Sequence, residues 1–401
     1  MALKNFLASL LLAAPLAVAH PGKEEVFAHA AQPLERKSLA HCEKEFSHPE
    51  FIKKTVEIHG RELARLRRSL GIDVDEKPKI RPRDYISVSR IDHKSNKTVS
   101  KGMDLSTLFS DSGACMLMPS VDQGPLYVKG EEIRKDITGG EQGIKLTLAI
   151  QVVDYKTCQT VPNAYVDIWS SNSTGIYVGV QGYPGMGDPK DASILKGTTL
   201  RGVQPTDDHG VASFDSLFPG HYEGRATHIH AIVYLGAQKL PNNTITGGRA
   251  AHVGQLYFDQ SLITAANKLP PYSTNKMGIT LNTADFLFMQ GANGDDPIVR
   301  YALVGRDLSE GLFAWIRFGI NQQASKNVNP AAFWTENGGV MNPKGPISQL
   351  PGGGGGGGFP GWGGWPGFGG GKNKKAQVVE EEVEEEVEEE VEEEGKEEDV
   401  E

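Results

Sequence analysis

The stretch Lys145-Leu-Thr-Leu-Ala-Ile-Gln-Val-Val153 indicates the fold class, because it is apolar, rich in β-branched residues and bounded by turn residues. Two stretches of the same kind follow it, Ala164-Tyr-Val-Asp-Ile-Trp169 and His228-Ile-His-Ala-Ile-Val-Tyr234. Shorter strand-like runs, separated by Gly and Pro, continue the series at 211–214, 252–258, 280–281, 298–304 and 312–318. Many short strands joined by turns predict a mainly β sandwich or barrel.

Upstream of the strands the pattern changes to that of a helix. Between residues 43 and 71 apolar residues recur at intervals of three or four, Pro49 lies near the start, and Gly71 stands where a helix would end. We therefore expect a mostly helical segment here. The polar, proline-containing residues 72–110 predict an extended connector, which completes an amino-terminal extension over 20–110.

The first nineteen residues have the composition of a secretory signal. Lys4 precedes an apolar run from Phe6 to Ala19, which ends in small residues and is too short to span a bilayer. We expect residues 1–19 to be removed, so that the mature protein begins near His20 and is secreted. No later segment approaches the length of a membrane span.

Export bears on the cysteines and on the glycosylation sequons. In an oxidising compartment two of the three cysteines are expected to pair. Cys115 and Cys158 flank the start of the strand-rich region, so we expect that pair, with Cys42 left free or intermolecular. Three sequons would make the chain a glycoprotein if they are used, and they begin at Asn96, Asn172 and Asn242.

The negative charge of the chain is concentrated at its carboxyl end. The formal net charge is −10, but residues 378–401 contain sixteen acidic residues and one lysine, so the preceding residues carry about +5. The body is nearly balanced, and it has no basic patch interleaved with aromatic residues. We therefore expect no nucleic-acid partner.

Residues 346–401 read as a glycine- and aromatic-rich linker followed by a disordered acidic tail. The linker is too poor in buriable surface to offset the entropy of ordering it. A flexible spacer is the simpler interpretation, and contact of its spaced Phe and Trp residues with a cell wall or another polymer is the alternative. The tail repeats Val every fourth residue, which favours a helical stripe, whereas repulsion among the glutamates favours a solvated chain.

The segment Pro219-Gly-His-Tyr-Glu-Gly-Arg-Ala-Thr-His-Ile-His230 contains the residue types that suit metal chemistry. Residues two apart in a strand point to the same face, so His228 and His230 project together, as a transition-metal site requires. Tyr222 and Arg225 lie just upstream, and Tyr177 ends the motif Gly175-Ile-Tyr177.

Each of these residues also has a purely structural interpretation. A His-x-His pair such as His228 and His230 is often a surface or incidental feature of a strand. Tyr177 would then cap a hairpin, and Tyr222 would be the corner tyrosine of a sandwich. Arg225 would pair at the surface with an acidic neighbour, one of Asp207, Asp208 and Glu223.

From about Cys115 to Ile320 the sequence resembles the intradiol ring-cleavage dioxygenases, and specifically their secreted fungal members. The resemblance rests on five motifs, which are Gly124–Val128, Pro162–Tyr177, Thr199–Gly202, Pro219–His230 and Gly254–Phe258. It implies a two-sheet β-sandwich over residues 111–345, preceded by a short helical segment. Helices before the sandwich often form the subunit contact in this family, so the helix at 43–71 is a candidate homodimer contact.

The resemblance also implies a site and a reaction. A non-haem ferric ion, Fe(III), would be held by Tyr177, Tyr222, His228 and His230, and Tyr222 would leave the metal and accept a proton when substrate binds. Arg225 would stabilise charge that develops on the substrate, and Gln255 would contact the reacting centre. The expected substrates are O2 and a small aromatic diol, a catechol, cleaved between its two hydroxylated carbons to a muconate-type diacid. His209, His221 and His252 match no ligand position.

A non-catalytic module is the alternative function. Prealbumin-like sandwiches also carry a Pro-Asn-Ala-x-Val strand start, a turn of the Asp-x-x-Gly kind and a Pro-Gly-x-Tyr corner, and they serve as spacers, binding modules or wall-associated domains without a metal. Only the four candidate ligands and Arg225 separate the two readings, and they favour the enzyme.

Overall fold

A computed structural model describes residues 39–71, 92–95, 115–116, 123–181, 192–292 and 296–349. The predicted signal, most of the predicted connector, and the linker and tail beyond residue 349 lie outside these ranges, as does Asn96. Their predicted boundaries therefore stay predictions. None of the helices within the described ranges has both the length and the apolar character of a membrane crossing.

The helices of the described residues are short apart from one near the amino end. They are α1 (Glu43–Phe46), α2 (Pro49–Leu70), α3 (Gln260–Asn267) and α4 (Phe286–Ala292). Pro49 occupies the first turn of α2, where its missing N–H costs nothing, and Gly71 ends the helix with a φ of 71°. The helix predicted over 43–71 is thus confirmed as two helices with one break at residues 47–48.

The strands follow the predicted series closely. They are β1 (Cys115–Met116), β2 (Val128–Lys129), β3 (Lys145–Asp154), β4 (Tyr165–Trp169), β5 (Arg201–Pro205), β6 (Val211–Leu217), β7 (His228–Lys239), β8 (Ile245–Tyr257), β9 (Arg300–Leu303), β10 (Leu312–Ile320), β11 (Ala332–Thr335) and β12 (Gly338–Met341). The strand predicted at 280–281 is absent, and these residues lie in a loop where Oγ1 of Thr280 accepts a hydrogen bond from the backbone N–H of Gly224.

Two sheets face each other across the main core. One has the order β1-β10-β3-β6, with β9 also paired to β10, and the other has the order β5-β4-β7-β8. Between them lie alternate residues of the strands, among them Leu148 and Ile150 of β3, Ile316 of β10, and Ile229 and Ala231 of β7. The predicted mainly β, two-sheet sandwich with a short helical part before it is confirmed.

The second sheet is buried on both of its faces, and this places the candidate site. Residues 228–235 of β7 are all buried, although only every second one faces the core between the sheets. The other face, with Trp169 and Ile232, packs against Tyr127, Val128 and Ala332 in a second cluster. A small third sheet of the order β12-β11-β2 contributes to this cover. His228 and His230 therefore lie inside the protein although they point away from the main core.

The outer face of the first sheet is covered by α2. Ile58, Leu63 and Leu66 of the helix pack with Ala149 of β3 and Phe313 of β10. Much of the apolar stripe that predicts this helix is thus used within the chain. The predicted homodimer contact through this helix stays a prediction.

The amino-terminal segment is attached to the sandwich by a disulfide between Cys42 and Cys158, whose Cα atoms are 5.3 Å apart. The expected Cys115–Cys158 pair, with Cys42 left over, is therefore wrong. Cys42 packs beside Leu39 and Phe46 against Tyr155, in the turn that follows β3, and this docking brings it to Cys158. Cys115 lies in β1, which pairs with β10 through backbone hydrogen bonds and places Cys115 opposite Arg317.

Candidate metal centre

His228 and His230 present their ring nitrogens to one point. They are two residues apart on β7, and their Nε2 atoms are 2.9 Å apart. The Nδ1 atom of His228 lies 2.6 Å from the carbonyl oxygen of Ala226, which can only accept, so this nitrogen carries the proton. A neutral His228 ring then has its lone pair on Nε2, on the side of His230. This is the arrangement in which an imidazole acts as a metal ligand.

The ring of His230 is fixed by its neighbours in the sheet. Cross-strand pairing puts Arg201, Trp169, His230 and Gln255 in one row across β5, β4, β7 and β8. The indole of Trp169 stacks on the imidazole with centroids 4.7 Å apart and planes within 1°. A Cβ built on Gly124 would lie 3.0 Å from Cε1 of His230, and Gly124 has a φ of 73°. Glycine at this position lets the backbone approach the ring.

Tyr222 reaches the two imidazoles from a loop. Its Oη lies 3.3 Å from Nε2 of His228, and the side chain is buried. The loop is held by a neighbouring segment. Nδ2 of Asn275 donates to the carbonyl of His221 at 2.7 Å, and the backbone N–H of Gly224 donates to Oγ1 of Thr280 at 3.0 Å. Nε2 of His221 also lies 3.0 Å from the carbonyl oxygen of Met277.

Tyr177 completes the group. Its ring lies edge-on to that of Tyr222 at 5.7 Å and to that of His230 at 6.2 Å. Its Oη is buried, and it faces Tyr222 and the backbone of Ser171 without a well-formed hydrogen bond to any of the described residues. Burial raises the pKa of this phenol to about 12, although Arg225 and Arg201 act in the opposite direction. A buried phenol that lacks a well-formed hydrogen bond is costly, and a cation beside it would reduce that cost.

These four side chains fit a ferric ion. Two phenol oxygens and two imidazole nitrogens come from three separate places in the chain and face a common space. Phenolates are hard anionic donors that favour an oxidised metal, and imidazole suits iron as well. Tyr177, whose buried hydroxyl lacks a well-formed hydrogen bond, is the member whose environment is hardest to explain without a bound cation.

Arg225 and Gln255 lie beside the group and contact each other. The Nη2 atom of Arg225 donates to Oε1 of Gln255 and, at 2.8 Å, to Oη of Tyr257. Nε of Arg225 donates to Oδ2 of Asp285 at 2.9 Å. The alternative in which Arg225 pairs at the surface with Asp207, Asp208 or Glu223 is therefore wrong, because the side chain is buried and its acidic partner is Asp285.

The charge of this pair is maintained despite its burial. Burial alone would lower the pKa of Arg225, but Tyr257, Asp285 and Tyr222 more than offset it and the pKa is raised. Burial alone would likewise raise the pKa of Asp285. The charge of Arg225, with the backbone N–H groups of Ala226 and Phe288, holds that pKa below its ordinary value. The site thus contains a fixed, charged guanidinium.

Comparison with solved structures identifies relatives of the chain. An intradiol ring-cleavage dioxygenase from Tetranychus urticae is 30% identical, over 55% of this chain and 100% of its own, with a TM-score of 0.45. A second dioxygenase crystal structure is 31% identical over the same shares, also with a TM-score of 0.45. The assignment rests on this identity over the whole length of both relatives.

The chain belongs to the intradiol ring-cleavage dioxygenase family. A more distant match is the dioxygenase domain of a carbohydrate-binding protein fusion from Streptomyces sp. SirexAA-E, at 21% identity over 51% of this chain and 97% of that one, with a TM-score of 0.31. That likeness adds nothing to the assignment. No family profile matches the chain, and no curated protein does.

Membership of the intradiol dioxygenases confirms the predicted family and, with it, the predicted class of aromatic ring-cleaving enzyme. The structure brings together every residue predicted for the site, namely Tyr177, Tyr222, Arg225, His228, His230 and Gln255. Their roles stay predictions. Of the histidines set aside, His252 is buried among core residues, and burial lowers its pKa to about 3.

Two features of this dioxygenase site were not predicted. The strand patterns that contain Trp169 and Tyr257 indicate only a place in the core or in a pocket wall, whereas the structure stacks Trp169 on His230 and bonds Tyr257 to Arg225. Asp285 carries no sequence signal beyond its place before a short helix, which suggests a capping residue and no more. Its contact with Arg225 spans 60 residues and follows only from the fold.

Proposed function

We propose that this member of the family is an extracellular, non-haem Fe(III) dioxygenase. It cleaves a catechol-type diol between the two hydroxylated carbons with O2 and releases a muconate-type diacid. One observation carries the proposal, the meeting of Tyr177, Tyr222, His228 and His230 in a buried space beside a charged arginine. This combination of hard anionic donors, imidazoles and a fixed cation suits a diol that binds as an anion.

The bound ferric ion would supply the acid and one-electron chemistry that makes the diol reactive towards O2. Tyr177, Tyr222, His228 and His230 would hold it. His228 stays neutral in this scheme, because Ala226 keeps the proton on Nδ1 and leaves Nε2 to the metal. The stacked indole of Trp169 keeps His230 from rotating.

Tyr222 is the ligand that we assign to proton transfer. A diol must lose protons as it binds, so the site needs a base within reach. Tyr222 stands on a loop rather than on a strand, and its Oη is near the imidazole of His228. In our scheme this oxygen takes one proton from the entering diol. The ring of Tyr177 is packed more deeply and remains in place.

Arg225 stabilises the negative charge that develops on the substrate during cleavage. Its Nε and Nη2 are occupied by Asp285, Gln255 and Tyr257, while its buried Nη1 has no partner among the described residues. A fixed cation in a water-poor site is effective because it needs no reorganisation during the reaction. The buried rings of Trp169, Tyr177 and Tyr257 exclude water from the same space.

Secretion is supported by two features of different kinds. The apolar run before residue 20 has the form of a signal, and the Cys42–Cys158 disulfide suits an oxidising compartment. The test is the length of the mature chain recovered from culture medium of the source cells. Recovery of a chain that begins near His20 is expected, whereas full-length protein confined to cells would overturn the proposed location.

The reaction is tested by O2 uptake with catechol, combined with mass analysis and proton NMR of the product, because a muconate and a hydroxymuconic semialdehyde have the same mass and only the semialdehyde has an aldehyde proton. We expect O2 consumption and a product with the mass of catechol plus both atoms of O2, in the form of a muconate. His209→Ala is the matched control, since this histidine lies in a turn outside the site. A hydroxymuconic semialdehyde would show cleavage outside the hydroxyl pair and would overturn the proposal, as would the absence of O2 uptake by iron-loaded protein.

A further inference from the structure

Asp285 is a buried carboxylate that joins two parts of the structure. Its Oδ1 accepts from the backbone N–H groups of Leu287 at 2.8 Å and Phe288 at 3.2 Å, at the start of α4. Its Oδ2 accepts from the backbone N–H of Ala226 at 2.8 Å and from Nε of Arg225 at 2.9 Å. One side chain thus links α4 to the segment between Arg225 and His228.

The guanidinium of Arg225 is held from two sides. On one edge, Nε donates to Asp285. On the other edge, Nη2 donates to Gln255 and to Tyr257, and Oη of Tyr257 in turn donates to Gln255 at 2.8 Å. Only Nη1 is left without a partner among the residues described, and it is buried. A long side chain normally has many rotamers, but these contacts select one of them.

We infer that Asp285 is a positioning residue for the reaction: it fixes Arg225 in the one orientation that leaves Nη1 for the reacting substrate. The inference rests on the proposed function, since it gives Arg225 something to act on. The segment around Ala226 is bound by the same oxygen, so Asp285 also fixes the backbone from which Arg225 extends. Asp285 therefore fixes both the backbone next to Arg225 and the guanidinium at the end of its side chain.

The need for such an anchor follows from the charges around Arg225. The proposed ligands Tyr177 and Tyr222 would be anionic when the metal is bound, and their charge would attract a mobile guanidinium. Asp285 supplies a competing anion at Nε and so keeps Arg225 from closing onto the tyrosines. A displacement of the cation by about 1 Å is enough to cost roughly a hundredfold in rate.

A purely structural role for Asp285, capping α4, is distinguished by the choice of variants. Asp285→Asn keeps an oxygen for the N–H groups of Leu287 and Phe288, but it turns a donor towards Nε of Arg225 and the N–H of Ala226. Asp285→Ser retains a capping oxygen and is too short to reach the guanidinium. Asp285→Glu keeps the charge and displaces it by one methylene. A role limited to capping would leave kcat near that of the wild type in the Asn and Ser variants.

The experiment measures kcat and KM for catechol by O2 uptake in iron-loaded wild type and in these three variants. We expect kcat to fall about a hundredfold in Asp285→Asn and Asp285→Ser and roughly tenfold in Asp285→Glu. Each variant displaces the guanidinium of Arg225, which stabilises the charge that develops on the substrate. KM and the visible spectrum of the iron should change little, since the metal ligands are untouched. If Asp285→Asn does not fold, Asp285→Glu still decides, because it keeps the buried ion pair.

A second comparison assigns the effect to Arg225. In an Arg225→Met background, Asp285→Asn should lower kcat no further, since there is no guanidinium left to position. An equal loss in both backgrounds would overturn the inference, and so would wild-type kcat in Asp285→Asn or Asp285→Glu. Either result leaves the proposed function standing if the wild type cleaves catechol. A wild type that binds iron and does not cleave catechol would instead remove the proposed function and this inference together.

Discussion

The Nε2 atoms of His228 and His230 lie 2.9 Å apart on the buried outer face of β7. The proton of His228 is held on Nδ1 by Ala226, so its Nε2 points a lone pair towards this gap. Replacing either histidine by alanine should lower iron content at least about tenfold, because it removes a ligand together with its oriented lone pair. Metal analysis of the purified variants measures this.

The control for this prediction is His209→Ala, which leaves the site intact. Circular dichroism establishes that the variants are folded before their iron is compared. Full iron content in both His228→Ala and His230→Ala would contradict the assigned ligand set.

The indole of Trp169 supports His230 from below, and it is also one of the largest buried side chains in the described residues. Trp169→Ala should lower the free energy of unfolding by about 3–5 kcal/mol, since it leaves a cavity. Trp169→Phe retains a flat ring under His230 and should lose less. Urea unfolding monitored by circular dichroism measures both. Equal stability of the Ala variant and the wild type would show that the stacking contact contributes nothing.

His93 should make stability depend on pH in the alkaline range. Its Nδ1 lies 2.5 Å from Oδ1 of Asp259 and its Nε2 lies 3.0 Å from Oδ2 of Asp296. Burial alone would lower the pKa of His93, but Asp296 and Asp259 together raise it to about 9. A raised pKa means that the charged imidazolium stabilises the fold. That stabilisation is fully present below pH 6.5 and is lost as pH rises through about 9.

Urea unfolding at pH 6, 8 and 10 tests this dependence. The wild type should lose on the order of 3 kcal/mol more than His93→Gln between the first and last of these values. The difference between the two proteins cancels the titration of other groups, such as tyrosines and lysines. Parallel curves for both proteins would contradict the assigned charge of His93.

The Cys42–Cys158 disulfide closes a loop of 116 residues and should contribute substantially to stability. Replacing Cys42 by serine is expected to lower the free energy of unfolding by about 2–5 kcal/mol. Cys115→Ser is the matched control and should leave the disulfide in place. Peptide mapping without reduction identifies the pair, and a peptide that joins Cys115 to Cys158 would contradict the structure.

The strands of the sandwich were predictable because their signals are local. β3, β4 and β7 show β-branched runs bounded by turns, and the period of two along β7 puts His228 and His230 on one face. The hairpin of β11 and β12 has a turn signal at Asn337-Gly338, but the globular part was expected to end nearby and the signal was not used. Here the information was present in the sequence.

Other features depend on contacts between distant parts of the chain. Cys42 forms its disulfide with Cys158 because residues 39–46 pack against the turn after β3. Tyr177 joins the histidines only because the second sheet folds beneath it, and the resemblance to a known family was needed to select it. The pairing of Arg225 with Asp285 was missed for the same reason, since nearer acidic residues were the local candidates.

The central claim, that Tyr177, Tyr222, His228 and His230 together hold a ferric ion, is tested most directly by the visible spectrum and iron content of the purified protein. From iron-supplemented medium we expect a protein with about one iron per chain, because the four donors converge on a single site. The protein should be burgundy, because charge transfer from tyrosinate to the iron absorbs visible light. The band should shift or weaken in Tyr222→Phe. A folded wild-type protein that is colourless and free of iron after the same preparation would contradict the claim.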